Sequence, residues 1–193
     1  MAKEYTNDWF QQRGAKTWGG LLGDKEIKRA LEIGCYEGQA SVWLLENYPK
    51  LELQVVDIFD ADSAEDWDGY SEVDNKKPTT YEDRFDHNTK EFSKRLHKYK
   101  GKSLYWLAKA VGNGSVGYDF IYVDGDHRKL QTTQDMALAI ELLAPKGIMV
   151  IDDYGEIPWV FDAVNAFSDT LDSDEYEWGK TVDGEQFFIK RKD

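Results

Sequence analysis

Apolar segments of strand length alternate along this chain with segments whose apolar residues follow a helical period. The strand-like segments are residues 29–34, 51–57, 118–124 and 148–151. The helical segments among them are residues 39–48 and 130–143. Near-continuous apolar strands in such an alternation are typical of a parallel sheet buried under helices on both faces. We therefore expect one α/β domain spanning residues 1–193.

The rest of the chain extends this pattern. Residues 81–100 are predicted to be helical and to end in a weak strand over 96–100, and Pro145 with Gly147 predicts a break before the strand at 148. Apolar residues at 160, 164, 167 and 171 predict a further helix. Two β-rich runs then meet at Asp183-Gly184, a favoured hairpin turn. We expect this hairpin to add an antiparallel strand at one side of the sheet.

Charge limits what the domain can bind. Acidic residues number 37 and basic residues 24, a formal net charge of −13. This charge disfavours nucleic acid and anionic membranes, which bind through Lys and Arg. The sequence has no membrane-length apolar run and no secretion signal, and its single cysteine, Cys35, fits a reducing compartment. We expect a cytoplasmic protein without nucleic-acid or membrane partners, and leave open whether it forms a homo-oligomer.

Residues 60–86 carry much of the acidic excess, with ten acidic and three basic residues. Residues 169–177 contribute five more acidic residues and no basic one. The 60–86 segment is polar yet contains four aromatic residues. A loop of this length in a compact domain is usually functional or disordered. We interpret it as an acidic insertion that is a lid candidate.

The first predicted strand ends in a loop with two glycines, Gly34 and Gly38, and a helix follows directly. Ligands of open α/β sheets bind beyond such strand ends. A dinucleotide fingerprint would need glycine where Tyr36 stands, and Gly101-Lys102-Ser103 lacks the first P-loop glycine because Leu96 stands there. These exclusions argue against a nucleotide phosphate.

Asp57 ends the second predicted strand, where a carboxylate can bind two ribose hydroxyls. A ribose without pyrophosphate indicates a nucleoside ligand. The alternative is that Asp57 caps the loop that follows it.

Four segments in this order resemble the successive motifs of class I S-adenosylmethionine-dependent methyltransferases. They are ALEIGCYEG, VVDIF, YDFIYVDGDH and KGIMVIDDY. More narrowly, they are similar to the small O-methyltransferases typified by the macrocin and novobiocin tailoring enzymes. The resemblance implies a Rossmann-like, doubly wound, mostly parallel seven-stranded sheet. Its strand order would be 3-2-1-4-5-7-6 with strand 7 antiparallel, which matches the predicted hairpin.

The resemblance implies S-adenosyl-L-methionine as the cofactor. The cofactor-binding residues that it implies are Glu32, Gly34, Cys35, Tyr36, Gly38, Ser41, Asp57, Ile58, Ser103 and Asp124. Glu32, Gly34, Gly38 and Ser41 would surround the methionine part and Asp57 would hold the ribose. Ser103 matches the adenine-side loop less closely. Tyr36 either closes over the sulfonium or packs under the loop.

Acidic residues also follow two later strands: Asp124 and Asp126 with His127, and then Asp152 with Asp153. Converging carboxylates are costly unless they share a proton or a cation, and their oxygens suit Mg²⁺ or another hard divalent cation. Asp124, Asp152 and Asp153 resemble the metal triad of the macrocin-type enzymes. In the alternative, Asp152 or Asp153 caps the loop before Pro158 and no metal binds.

Asp126 and His127 are the candidate catalytic bases for the acceptor hydroxyl. Asp126 matches the base position of the family motif, whereas an unperturbed histidine has a pKa near neutrality. A histidine beside a strand end can also be purely structural.

Three alternative functions are consistent with these predictions. The first is metal-assisted O-methylation of a small-molecule hydroxyl, in the class EC 2.1.1.-, with the acidic lid candidate disfavouring anionic acceptors. The second keeps the cofactor but transfers the methyl group to nitrogen or a carboxylate without a metal. The third is a non-catalytic nucleoside-binding protein on the same fold.

Overall fold

The computed structural model describes residues 2–60, 79–115 and 117–193. Its helices are α1 (Trp9–Gln12), α2 (Gly14–Leu22), α3 (Gln39–Asn47), α4 (Tyr81–Thr89), α5 (Ser103–Gly112), α6 (Lys129–Ala139) and α7 (Pro158–Ser168). Short 3-10 turns, Lys90–Phe92 and Ile140–Leu142, continue α4 and α6. The strands are β1 (Arg29–Ile33), β2 (Glu52–Asp57), β3 (Leu96–Lys100), β4 (Tyr118–Val123), β5 (Leu143–Ile151), β6 (Tyr176–Lys180) and β7 (Phe187–Arg191).

The strands form one sheet in the order β3-β2-β1-β4-β5-β7-β6. Strands β1 to β5 pair in parallel, and β7 runs antiparallel to both of its neighbours, β5 and β6. The fold class, the strand order and the antiparallel hairpin predicted from the sequence are therefore confirmed.

Successive residues of the central strands enter two different cores. Leu31 and Ile33 of β1 pack with α5, α6 and α7 on one face of the sheet. Ala30, which precedes Leu31 in the chain, packs with α1 to α4 on the other face. Both faces are covered, which is why the central strands are apolar at nearly every position.

Helices α1 and α2 are elements that the sequence patterns did not predict. They are fixed by Trp18, whose fully buried ring contacts Phe10, Phe120 and Tyr122 with centroids 4.7–4.8 Å apart. The apolar period of this segment is interrupted by glycines and polar residues. Its position is therefore determined by tertiary packing on the sheet rather than by a strong local pattern.

Two sequence predictions need correction. The break expected at Pro145 and Gly147 lies inside β5, where the register with β4 shifts between Tyr118 and Phe120. Proline is tolerated in strands at such irregularities. The lid candidate, residues 60–86, is also not one loop. Its last six residues begin α4, which starts with a capping box between Thr80 and Asp83, and its residues 61–78 lie outside the described part of the chain.

Among the described residues, no helix combines the length and the apolar character needed to cross a membrane.

Candidate active site

The loop between β1 and α3 needs glycine for steric reasons. Gly34 has φ +78°, and a Cβ atom built there would lie 2.0 Å from the backbone oxygen of Asp124. Gly38 has φ +81° at the N-terminus of α3, with the Phe85 ring against it. This loop therefore lies directly against the end of β4, and a side chain at position 34 would separate them.

Asp57, at the end of β2, fixes this loop through its carboxylate. Oδ2 accepts hydrogen bonds from the backbone amides of Cys35 (2.8 Å) and Tyr36 (3.1 Å). Oδ1 accepts one from Phe59 N at 2.7 Å, so Asp57 also caps its own loop, as the sequence alternative proposed. Burial raises the pKa of Asp57, and these backbone hydrogen bonds oppose the rise. Ile58, which lies between Asp57 and Phe59 in the sequence, is partly buried.

Glu32 and Ser41 meet beneath the loop, where both are buried. The Ser41 hydroxyl donates a hydrogen bond to the Glu32 carboxylate. Burial raises the pKa of Glu32 to about 8, against the effect of the Ser41 hydrogen bond, and Asp124 and Asp57 add to the rise. The structure thus brings together two of the predicted cofactor-binding residues.

Glu37 anchors the N-terminal segment to this loop, a role that the sequence reasoning missed. Its fully buried carboxylate accepts hydrogen bonds from Arg84 Nε (2.5 Å) on α4 and from Thr6 N (2.7 Å). Asn88 Nδ2 also donates to the Glu37 and Glu4 backbone oxygens. A glutamate in a predicted loop gives no signal of such burial.

Tyr36, which has φ +46°, packs against rings from two other segments. Its ring is stacked on Trp9 with centroids 5.8 Å apart, and its centroid lies 5.2 Å from that of Tyr81. Its hydroxyl lies 3.2 Å from Thr6 Oγ1. Of the two interpretations of Tyr36, this arrangement agrees with packing. The ring packs against the N-terminal segment and α4, however, and not under its own loop.

Ser103, the first residue of α5, is hydrogen-bonded to Asp135, which the sequence reasoning did not single out. Asp135 is buried on α6, and a Cβ atom built at Gly125 would lie 3.6 Å from its Oδ2. Burial raises the pKa of Asp135 to about 6, against the Ser103 hydrogen bond. Asp135 thus connects the predicted adenine-side residue with the loop after β4. The sequence feature that could have indicated Asp135 is a single acidic residue among apolar residues on one face of α6.

Asp124, His127 and Asp153 form the acidic centre at the ends of β4 and β5. Their ligand atoms all lie within 4.8 Å of one another. His127 Nε2 is 2.9 Å from Asp153 Oδ2 and 3.8 Å from Asp124 Oδ1. Burial lowers the pKa of His127, but its hydrogen bonds with Asp124 and Asp153 outweigh burial and raise that pKa to about 10. His127 therefore acts here as a hydrogen-bond donor.

Asp152 lies outside this group, so the expected triad of Asp124, Asp152 and Asp153 is not assembled among the described residues. Gln186 Nε2 donates to Asp152 Oδ1 at 2.7 Å, and Gln186 Oε1 accepts from Trp18 Nε1 at 2.9 Å. Burial and the neighbouring carboxylates raise the pKa of Asp152. Gln186 is fully buried beside the hairpin, a position that no sequence pattern marked.

Asp153 is also held by a residue that the sequence did not indicate. Arg13 Nη1 lies 2.7 Å from Asp153 Oδ1, and Arg13 Nη2 contacts Glu156. The Asp153 backbone oxygen accepts from Ile157 N at 2.9 Å, which caps the loop before Pro158. Both carboxylate oxygens of Asp153 therefore lie beside nitrogen atoms of this chain, although Asp124, His127 and Asp153 are close enough together to hold an ion.

Asp126 points its carboxylate at Arg128. It accepts hydrogen bonds from the Arg128 backbone amide (2.9 Å) and from the guanidinium, including Nε at 3.0 Å. Burial works against ionisation, yet these contacts lower the pKa of Asp126. It is not part of the group formed by Asp124, His127 and Asp153 among the described residues.

Comparison with solved structures shows the same fold in several methyltransferases. An O-methyltransferase from Bacillus cereus, in complex with SAH, has a TM-score of 0.65 and 13% identity, covering 100% of this chain and 93% of that one. The O-methyltransferase TomG from Streptomyces achromogenes, in complex with SAM, has a TM-score of 0.59 and 18% identity, covering 89% and 75%. The N-methyltransferase NodS from Bradyrhizobium japonicum, in complex with S-adenosyl-l-homocysteine, has a TM-score of 0.62 and 16% identity, covering 96% and 88%.

No curated protein matches the sequence significantly. A family model described as a methyltransferase domain matches residues 31–154, which run from β1 past the acidic tip of β5. This range contains the glycine loop, Asp57 and the acidic centre, but not Arg13, which contacts that centre. The chain therefore belongs to this methyltransferase-domain family and has the class I S-adenosylmethionine-dependent methyltransferase fold.

Proposed function

We propose that this protein transfers the methyl group of S-adenosyl-L-methionine to a hydroxyl oxygen of a small molecule. The contact of Gly34 with the Asp124 backbone is the observation that carries the proposal. It sets the predicted cofactor loop directly beside the acidic centre, so a methyl donor on the loop would adjoin an acceptor at the centre. Such proximity is the main contribution that an in-line displacement needs from a protein.

In the proposed step, the acceptor oxygen attacks the methyl carbon, the carbon–sulfur bond breaks, and S-adenosylhomocysteine leaves. The acceptor's hydroxyl proton must pass to a base. His127, whose pKa is raised to about 10 beside Asp153, is already protonated near neutral pH and cannot accept this proton. Asp126 is ionised and matches the base position that the family resemblance implies, although its contacts with Arg128 lower its pKa and make it a weak base. We therefore assign the base to Asp126 and the orientation of the acceptor to His127.

The acceptor class follows from charge. The acidic excess of the whole chain, a net charge of −13, disfavours an anionic acceptor, so the proposal is a neutral or cationic small molecule with a hydroxyl group. The names of the Bacillus cereus protein and of TomG support oxygen as the acceptor atom, while NodS shows that the same fold also serves nitrogen. The net charge of −13 supports a partner other than nucleic acid or membrane, and the cytoplasmic location stays a prediction.

Transfer of isotope-labelled methyl groups to a panel of small acceptors tests the proposal. The panel should contain neutral phenols and sugars, amines, and carboxylates, with products identified by mass spectrometry. We expect label on oxygen of a neutral or cationic compound. Label on nitrogen or carboxylate alone would contradict the choice of oxygen.

Single-turnover rates of Asp126→Asn and His127→Ala test the assigned roles. We expect Asp126→Asn to slow methyl transfer at saturating acceptor, and His127→Ala to raise the acceptor KM more than it lowers kcat. Unchanged rates in both variants would contradict the assignment of Asp126 as the catalytic base. Thr133→Ala, a change at a partly buried residue of α6 whose hydroxyl donates to the Lys129 backbone oxygen, is a matched control that should behave like the unmodified protein.

A further inference from the structure

The acidic centre receives a permanent positive charge from the N-terminal segment. The guanidinium of Arg13 contacts Asp153 through Nη1 and Glu156 through Nη2. The side chains of Arg13 and Asp153 are only 21% and 11% exposed, so water screens their attraction weakly. This ion pair joins two residues that are 140 positions apart in the sequence, and it lies beside the predicted acceptor site.

Both oxygens of Asp153 are engaged by this chain. Oδ1 accepts from Arg13, and Oδ2 lies 2.9 Å from His127 Nε2. A divalent cation bound to Asp153 would have to displace one of these donors or share an oxygen with it beside the guanidinium. Asp152, the other carboxylate at the tip of β5, already accepts the Gln186 amide.

Packing holds Arg13 in place. It lies between α1 and α2, and α2 is fixed by the buried Trp18 ring one helical turn further on. Trp18 in turn donates to Gln186, the residue that holds Asp152. Trp18 and Gln186 therefore determine both the position of Arg13 and the hydrogen bond that Asp152 accepts.

We propose that Arg13 takes the place of the divalent cation in this chain, neutralising Asp153 so that the acidic centre does not bind a metal. The consequence, methyl transfer without a divalent cation, rests on the proposed function. The exclusion of the metal does not, because it can be measured without turnover.

Electron paramagnetic resonance of Mn²⁺ titrated into the full chain, with and without S-adenosylhomocysteine, tests this proposal. Three variants accompany the unmodified protein: Arg13→Gln removes the charge, Arg13→Lys keeps it, and Lys16→Gln removes an exposed charge from α2, the helix that begins directly after Arg13. We expect the unmodified protein, Arg13→Lys and Lys16→Gln to bind Mn²⁺ no better than millimolar. Arg13→Gln should bind Mn²⁺ at least about tenfold more tightly, because Asp153 Oδ1 is then free for an ion.

Micromolar, stoichiometric Mn²⁺ binding by the unmodified protein would overturn the proposal. Equal binding by Arg13→Gln and the unmodified protein would overturn it as well, since Arg13 would then not be what excludes the ion. If Arg13→Gln fails to fold, tight binding by Arg13→Lys or by the unmodified protein still contradicts the proposal, and weak binding by both supports it. Calorimetry of S-adenosylhomocysteine on the same samples shows separately whether the proposed function fails.

Discussion

The two halves of the site are built in different ways. On the proposed cofactor side, the backbone amides of Cys35 and Tyr36 donate to Asp57, and Gly34 and Tyr36 have positive φ angles. On the acceptor side, side chains from distant segments meet, with Arg13 from the N-terminus on Asp153 and Gln186 from the hairpin on Asp152. Backbone geometry constrains residue type at a fixed position, whereas side-chain contacts allow many alternatives.

This difference has a functional consequence. A cofactor loop that depends on backbone geometry suits a ligand common to many enzymes of one fold. An acceptor side made from variable segments suits specificity for one substrate. Substitutions on the two sides should therefore differ in what they change, and the predictions below test this in order of expected effect.

The largest effect is expected at the buried ion pair that anchors the cofactor loop. Arg84→Met leaves the Glu37 carboxylate buried without its guanidinium partner, and we expect the free energy of unfolding to fall by about 3–5 kcal/mol. Chemical denaturation measures the change. Lys50→Met, which removes one side of an exposed pair with Glu26, is the control and should leave the denaturation midpoint nearly unchanged. Similar midpoints for both variants would contradict the anchoring role.

Gly34→Ala should affect both stability and cofactor binding. The added Cβ atom would lie 2.0 Å from the Asp124 backbone oxygen at a φ of +78°, so the loop must move away from β4. We expect a loss of about 3 kcal/mol in unfolding free energy and about a hundredfold weaker binding of S-adenosylhomocysteine. Gly20→Ala, in helix α2 with open space around its Cβ position, is the matched control and should be neutral or slightly stabilising. Equal effects of the two changes would argue against the close approach.

Asp57→Asn should weaken the cofactor loop less. The amide oxygen can still accept one or two of the three backbone hydrogen bonds, but it lacks the charge that strengthens them. We expect about tenfold weaker binding of S-adenosylhomocysteine by calorimetry, with an acceptor KM changed by less than that. A larger change in acceptor KM than in cofactor affinity would contradict the assignment of Asp57 to the cofactor side of the site.

The smallest effect concerns pH. The pKa of Glu32 is raised to about 8 in the folded protein, above the value of 4.5 expected in the unfolded chain. The folded state therefore holds this proton more tightly, so its stabilising contribution is fully present below about pH 4.5 and is lost as pH rises through about 8. We expect the stability of the unmodified protein to fall relative to Glu32→Gln over this range. Parallel pH profiles from thermal denaturation would contradict the shifted pKa.

The sequence predicted the fold well because the fold depends on local patterns, and the same patterns singled out the glycine loop and Asp57. The binding of the cofactor by these residues stays a prediction. Gly34 and Asp57 lie at the ends of strands whose apolar character marks their position, and Gly38 directly precedes α3. Arg13 and Gln186 could not be predicted in the same way, since each acquires its role only when a distant element packs against it. Asp152 illustrates the limit, because its neighbour in sequence, Asp153, joins His127 while Asp152 itself accepts the Gln186 amide.

Titration calorimetry of the unmodified protein with S-adenosylhomocysteine and S-adenosylmethionine tests the central claim most directly. The account predicts saturable binding of both at one site per chain, lost or strongly weakened in Gly34→Ala and retained in Gly20→Ala. No heat of binding with either compound at millimolar concentration would contradict the claim that the glycine loop and Asp57 form the cofactor site of a methyltransferase.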